Sequence, residues 1–194
     1  MARPREFDRT QALEKAMNLF WHKGYQATSV QDLVRSMGIN RGSLYDTFGD
    51  KHALFQESLQ QYEKLYTSKI VDFLDIEPSG KRAIENFFHK VLEDSLSGKG
   101  GRGCFFANSI VELYQNDPET AEKLRKSFLE MERAFLKTVK RGQDSGEISK
   151  SLDPREMARF LTNSLMGLKV VEKSSPSPKV LQDIVKGTLS ILKK

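Results

Sequence analysis

Residues 28–50, TSVQDLVRSMGINRGSLYDTFGD, decide the fold. Val30, Leu33, Val34 and Met37 recur at i, i+3, i+4 and i+7, the spacing of one buried helical face. The stretch opens on Thr28 and Ser29, both good N-caps, and the pattern stops at Gly38. Asn40 is the next capping residue. It starts a helix so short, ending near Phe48, that its inward stripe is only Leu44 and Phe48. Ile39 at N′ and Leu44 at N4 stand where a hydrophobic staple fixes the angle of entry. Two helices joined by Met37-Gly38-Ile39-Asn40 predict a helix-turn-helix, with the second helix held across the first. Arg41, Gly42, Tyr45 and Asp46 are then left facing outward. A guanidinium fork, a bare backbone position and a phenol on one short helix suit a DNA major groove. The spacing alone also fits an exposed turn of an ordinary small bundle.

Helical spacing continues on both sides. Asp8 caps a first helix with Leu13, Ala16, Met17 and Phe20, which stops at Gly24. Asp50 caps a long fourth helix whose stripe reads Leu54, Phe55, Leu59, Tyr62, Tyr66 and Phe73. Past Pro78-Ser79-Gly80 come a stripe of Ile84, Phe87, Phe88, Val91 and Leu92, a glycine-rich link from Ser97 to Gly103, and a short helix from about Cys104 to Tyr114. Asp117-Pro118 and Asp153-Pro154 each pair an Asp N-cap with Pro at N1 and start two further helices, the second with Glu156 at N3. A last helix carries Leu181, Ile184, Val185, Thr188 and Leu192. No segment alternates with period two as a strand would. The chain reads as all-α with nine helices, divided into a unit over 1–50 and a helical unit over 51–194.

Composition narrows the function. With 38% hydrophobic and 29% charged residues, this is a globular chain rather than a disordered one, and 31 Lys and Arg against 26 Asp and Glu leave it mildly basic at +5. The single cysteine, Cys104, excludes an internal disulfide, and His22, His52 and His89 form no cluster at zinc-ligand spacing. We therefore expect a reducing, cytoplasmic setting, with no metal and no cofactor. Met1 to Phe7 precede no apolar signal region, and no uncharged run approaches the ~18 residues of a membrane span. Residues 98–103, GKGGRG, fit G-x-G-x-x-G formally. They follow a helix rather than a strand, and no acidic residue closes a βαβ unit, so the dinucleotide reading fails. No catalytic motif is present, and an enzyme is not expected. Residues 1–50 hold seven Lys and Arg against six acids, a net of +1, so contact with DNA must depend on placement. Arg3, Arg5 and Arg9 form a tail suited to phosphate or a minor groove, or simply to solvent.

Residues from about Phe7 to Leu59 resemble the N-terminal domain of TetR/AcrR-type bacterial transcriptional regulators, through the stretch ALEKAMNLFWHKGYQATSVQDLVRSMGINRGSLYDTFGDKHALF. Gly24-Tyr25, Thr28-Ser29, Gly38, Leu44-Tyr45, Phe48 and Lys51 carry the resemblance in register, and the helix count agrees over the rest. The resemblance implies a homodimer on a palindromic double-stranded operator, repressing until a small-molecule effector enters the C-terminal domain. Carried over by position, Thr28, Ser29, Tyr45 and Lys51 hold phosphates, for which helix N-termini are suited by their free amides and dipole. Arg41, Gly42 and Ser43 approach base edges. Asp46-Thr47 departs from the common family pattern, where an aromatic or histidine is frequent.

The remainder supplies candidates for an effector site and a dimer seam. Tyr62, Tyr66, Phe87, Phe88, Phe105, Phe106, Phe128, Met131 and Phe135 are more aromatic than a plain bundle needs and are candidates to line an apolar pocket. His89 and Asn108 are its polar candidates. Cys104 follows Arg102 at a helix start, where free amides and a guanidinium would lower a thiol pKa and suit an electrophile or oxidant sensor. The burial habit of free cysteine argues instead for an inert side chain. Other readings are a thiol enzyme pairing Cys104 with His89 and a helical interaction module without DNA activity. Phe160, Leu161, Leu165, Leu168, Leu181, Ile184, Val185 and Leu192 either pack on their own chain or pair with a second copy, and the dimer seam is the favoured expectation, since two-fold reading of half-sites requires one.

Overall fold

The computed structural model describes residues 7–97, 101–174 and 176–193. Arg3, Arg5 and the Gly98–Gly100 part of the link lie outside the described residues. Asp8 caps α1 (Arg9–Lys23) through the amides of Thr10 and Gln11, at 2.8 and 3.0 Å. α2 (Val30–Met37) starts on Ser29 in a capping box: Ser29 Oγ accepts from the Asp32 amide at 3.1 Å, and Asp32 Oδ2 accepts from the Ser29 amide at 3.0 Å. Lys23, at the end of α1, closes on the same carboxylate at 2.5 Å. That lysine and the Ser29 bonds hold the Asp32 carboxyl well below the usual carboxylate range. Gly38 ends α2 at φ +72°, a left-handed turn that an L side chain strains. α3 (Arg41–Phe48) begins on Asn40, whose side chain takes the Ser43 amide at 2.8 Å. Leu44 and Phe48 are buried and Ile39 is half-buried against the same core, as the staple requires.

α4 (Lys51–Tyr62) runs through a π-helical turn, Glu63–Thr67, into α5 (Ser68–Ile76). The rest are α6 (Gly80–Leu96), α7 (Phe105–Leu113), α8 (Pro118–Asp144), α9 (Pro154–Glu172) and α10 (Pro178–Leu189), which ends in a 3-10 turn, Ser190–Leu192. With α4 and α5 as one rod, the described residues form nine helical rods and no strand. The π turn corrects the stripe expected on this rod. Its i→i+5 bonding delays the helical face by about one residue. The buried side therefore resumes at Thr67 and Leu74, leaving Tyr66 40% exposed and Phe73 half-buried.

Apolar side chains gather in two clusters. The first joins Phe20, Leu33, Leu44 and Phe55 to Phe105 and Phe106 of α7 and Leu124 of α8. One core thus crosses residue 50: Phe55 meets Phe20 edge-on at 5.2 Å and Phe105 edge-on at 5.8 Å. The second lies among α5, α6, α8, α9 and α10, around Ile84, Phe88 and Phe135. It corrects the expected seam. Leu161, Leu165, Leu168, Leu181, Val185 and Leu192 are buried in this cluster, because α9 and α10 must cover α6 and α8 of their own chain. Ile184 is half-buried, and of the expected seam only Phe160 is exposed.

Phe55→Ala removes the ring that both α1 and α7 pack against, and is expected to cost about 3–5 kcal/mol of stability in urea unfolding. A loss below about 1 kcal/mol would show that the two sides close without it.

Candidate nucleic-acid interface and apolar cavity

The outer face of α3 carries Arg41, Gly42, Tyr45 and Asp46, all exposed, with Ser43 half-buried beside them. Arg41 Nη2 donates to Tyr45 Oη at 3.3 Å and the guanidinium lies 5.6 Å from the ring centroid. Holding each other, the two long side chains surrender less rotamer freedom when either meets a ligand. Two further helix starts belong to the same unit: α2 opens on exposed Ser29, and α4 has Lys51 as its first residue. Lys51 Nζ lies 4.3 Å from the Tyr25 ring centroid, where partial burial pushes its amine down and the Glu112 charge works against that fall. Thr28 corrects the phosphate set. It is fully buried, and its hydroxyl donates to the Gly24 carbonyl at 2.5 Å, so the side chain shapes the α1–α2 turn instead of reaching an anion.

A cavity of about 530 Å³ opens between α1, the π turn, α6 and α9, a volume that takes small molecules. Tyr62, Tyr66, Phe87, Cys104 and Met131 line it, as expected. Phe88, Phe105, Phe128 and Asn108 do not. Phe88 stacks on Phe135 in the second core, Phe105 is buried between Phe55 and Tyr62, and Phe128 packs half-buried on the first core. Asn108 is spent bridging the Arg102 carbonyl at 3.0 Å and the Lys173 amine at 3.2 Å.

Trp21 is the wall residue that sequence reasoning missed. Its indole N–H donates to the Gly103 carbonyl at 3.2 Å, and the Arg102 guanidinium lies 4.1 Å from its ring while bonding Asn18 at 2.8 Å. A lone tryptophan at the end of α1, needing an acceptor for its N–H, was the available signal. On the α9 side, Leu165 and Met166 are apolar, and Lys169 pairs with Glu172 at 2.7 Å. Glu172 also accepts from Ser95 Oγ and the Gly101 amide, which fastens the α6–α7 link to α9.

Cys104 is buried, in keeping with the inert reading of the sequence rather than the sensing one. Burial pushes its thiol up, against the α7 amides and the Tyr62 hydroxyl, which pull it down. The hydroxyl of Tyr62 donates to Sγ at 3.7 Å, and the Arg102 guanidinium lies on Trp21 and Asn18. His89 is exposed in a groove between α6 and α10 and makes no hydrogen bond to Cys104 among the described residues. The thiol–base pair of an enzyme is therefore not assembled.

Comparison with known proteins places these features in a family. Residues 12–58 match the pattern of bacterial regulatory proteins of the tetR family, and residues 80–187 match the tetracyclin repressor-like C-terminal domain. The chain belongs to the TetR family. It is 33% identical over 193 residues to the uncharacterized HTH-type transcriptional regulator YezE of Bacillus subtilis, covering 99% of this chain and 100% of that protein. It is 31% identical over 190 residues to the HTH-type transcriptional repressor ComR of Escherichia coli, covering 97% and 90%. Among solved structures, a cysteine mutant of the TetR family regulator CifR, complexed with 26-bp operator DNA, superposes with a TM-score of 0.89 at 29% identity, over 98% of this chain and 100% of that one. This TetR-family chain is a transcriptional regulator, and no helix among its described residues is long and apolar enough to cross a membrane.

In this regulator, native Cys104 is expected to react with a thiol reagent at least an order of magnitude more slowly than in the urea-unfolded chain. Equal rates would return the cysteine to the list of sensing groups.

Proposed function

We propose that this regulator is a repressor that reads a palindromic operator as a homodimer in the cytoplasm and releases it when a small, largely apolar effector fills the cavity. The observation that carries the reading is the exposed Arg41–Gly42–Tyr45–Asp46 face of α3, seated on a core it shares with the helix that starts at the cavity wall. Arg41, Gly42 and Ser43 approach base edges. Ser29, Tyr45 and Lys51 take phosphates, the first and last at helix starts. That ComR is named a repressor and that CifR was solved on operator DNA support the assignment.

The second copy docks on what the chain's own core leaves uncovered. Phe160, Gly167 and Val170 share the outer side of α9, and Val180 and Gly187 lie exposed on α10. Nothing stands within 4 Å of a Cβ built at either glycine, so a partner helix can approach closely there. Cavity occupancy acts through population: an effector that binds a second arrangement more tightly draws the protein from the operator-reading one by that difference in affinity.

Selection from a random duplex pool is expected to return a site with dyad symmetry, with log K falling by about 0.9 per phosphate contact for each log unit of salt. Arg41→Ala should lower affinity for that site by ~1–3 kcal/mol and relax preference at the contacted base. No sequence preference in the wild type would sink the reading.

Val170→Glu, a charge on the uncovered face of α9, is expected to shift a sedimenting dimer to monomer while the helical circular dichroism stays unchanged. A dimer that survives the change would place the seam elsewhere.

A further inference from the structure

Glu112 stands on α7, in the C-terminal unit, yet its side chain is spent on the DNA-reading unit. One carboxylate oxygen accepts from the Tyr25 amide at 2.9 Å and the other from the Gln26 amide at 2.7 Å. Val111 and Tyr114 in the same turn are exposed and Leu113 is buried in the first core, while Glu112 lies half-buried at its edge, against the α1–α2 turn. The fit against the turn is close: a Cβ on Gly24, already at φ +87°, would lie 3.0 Å from the carboxylate. Both bonds join a charged acceptor to backbone donors, the stronger class of hydrogen bond.

The clamped turn sets two of the groups proposed to hold phosphate. Ser29, the cap of α2, lies three residues beyond Gln26. The Tyr25 ring is packed at 4.7 Å on Phe55 and at 6.1 Å on Phe20, and its face carries the Lys51 amine. A shift of the turn therefore moves Ser29 and Lys51 against α3. A carboxylate so close to a DNA-facing surface lowers affinity by simple charge repulsion. The two amide bonds give this carboxylate a structural role that offsets the repulsion.

We propose that Glu112 is a positioning residue for operator binding, whose carboxylate clamps the α1–α2 turn from α7 and so fixes Ser29 and Lys51 in register with α3. The proposal rests on the operator reading above. Glu112→Gln keeps the length, removes the charge, and turns an N–H₂ group toward one of the two amides. On the duplex selected by the wild type, this variant is expected to bind roughly tenfold more weakly, the effect of losing one charge-assisted bond. Because Ser29 and Lys51 are proposed to hold phosphates, which carry no sequence information, its affinity for an unrelated duplex should fall as well. Charge repulsion alone predicts the opposite sign on the selected duplex, tighter binding, and equal or tighter binding there overturns the proposal.

Hydrogen exchange on the wild type gives an arm that no variant can spoil. The Gln26 amide, on an exposed residue in a turn, is expected to exchange slowly because Glu112 holds it, and exchange at the free-peptide rate overturns the clamp. A wild type without sequence preference overturns the operator reading and the clamp together. Retained preference with an indifferent Glu112→Gln overturns the clamp alone.

Discussion

Three rings from three helices, Phe20 of α1, Phe55 of α4 and Phe105 of α7, meet edge to face at 5.2 and 5.8 Å. Such pairs contribute about 0.5–1.5 kcal/mol each beyond the area they bury, and they carry geometry as well as energy, because the ring edge must find the neighbouring face. The helices of the DNA-reading side pack on the core around this contact. α2 and α3 reach the rest of the chain through the core that it anchors, and Tyr62, stacked on Tyr66 and edge-on to Trp21, extends the same ring system to the cavity. Without Phe55, α1 and α7 would each lose a shared neighbour, and the reading head would lose its fixed relation to the cavity.

Local rules were the legible part. Caps at Asp8, Asn40, Asp50, Asp117 and Asp153 lie where the sequence put them, because an N-cap is decided by one side chain and amides two or three residues away. The outward set on α3 followed from only two inward positions in an eight-residue helix. What depended on distant chain was not legible. Leu161 and Leu181 look the same in sequence whether they cover α8 or a second molecule, and only the packing of the second core decided it. The cavity wall was half read for the same reason: aromatic residues were found by type, but Phe88 and Phe105 turn into cores while Trp21 turns toward the space between helices. The π turn misled differently, since one extra residue in a helical turn leaves no mark in composition and shifts every position after it.

Charge on the DNA-facing side is managed by pairing rather than by excess. Lys23 and Asp32 close on each other across the α1–α2 turn, and Arg9 bonds Glu57 at 2.6 Å between α1 and α4. These exposed or half-exposed pairs contribute little stability. They pair off four charges on this side of the molecule, where the first fifty residues carry a net charge of only +1.

The cavity is walled by residues of two allegiances. Trp21, Tyr62 and Cys104 belong to the core beneath α3, whereas Phe87, Met131 and Leu165 belong to the core among α6, α8 and α9. If the cavity takes an effector as proposed, a lineage under selection for a different one has unequal freedom around it. Changes at Phe87, Met131 or Leu165 reshape what is admitted and leave the reading head on its foundation. Changes at Trp21 or Tyr62 would disturb the core beneath α3 in the same step, so drift in what the cavity admits should accumulate on the far wall while the near wall stays constrained.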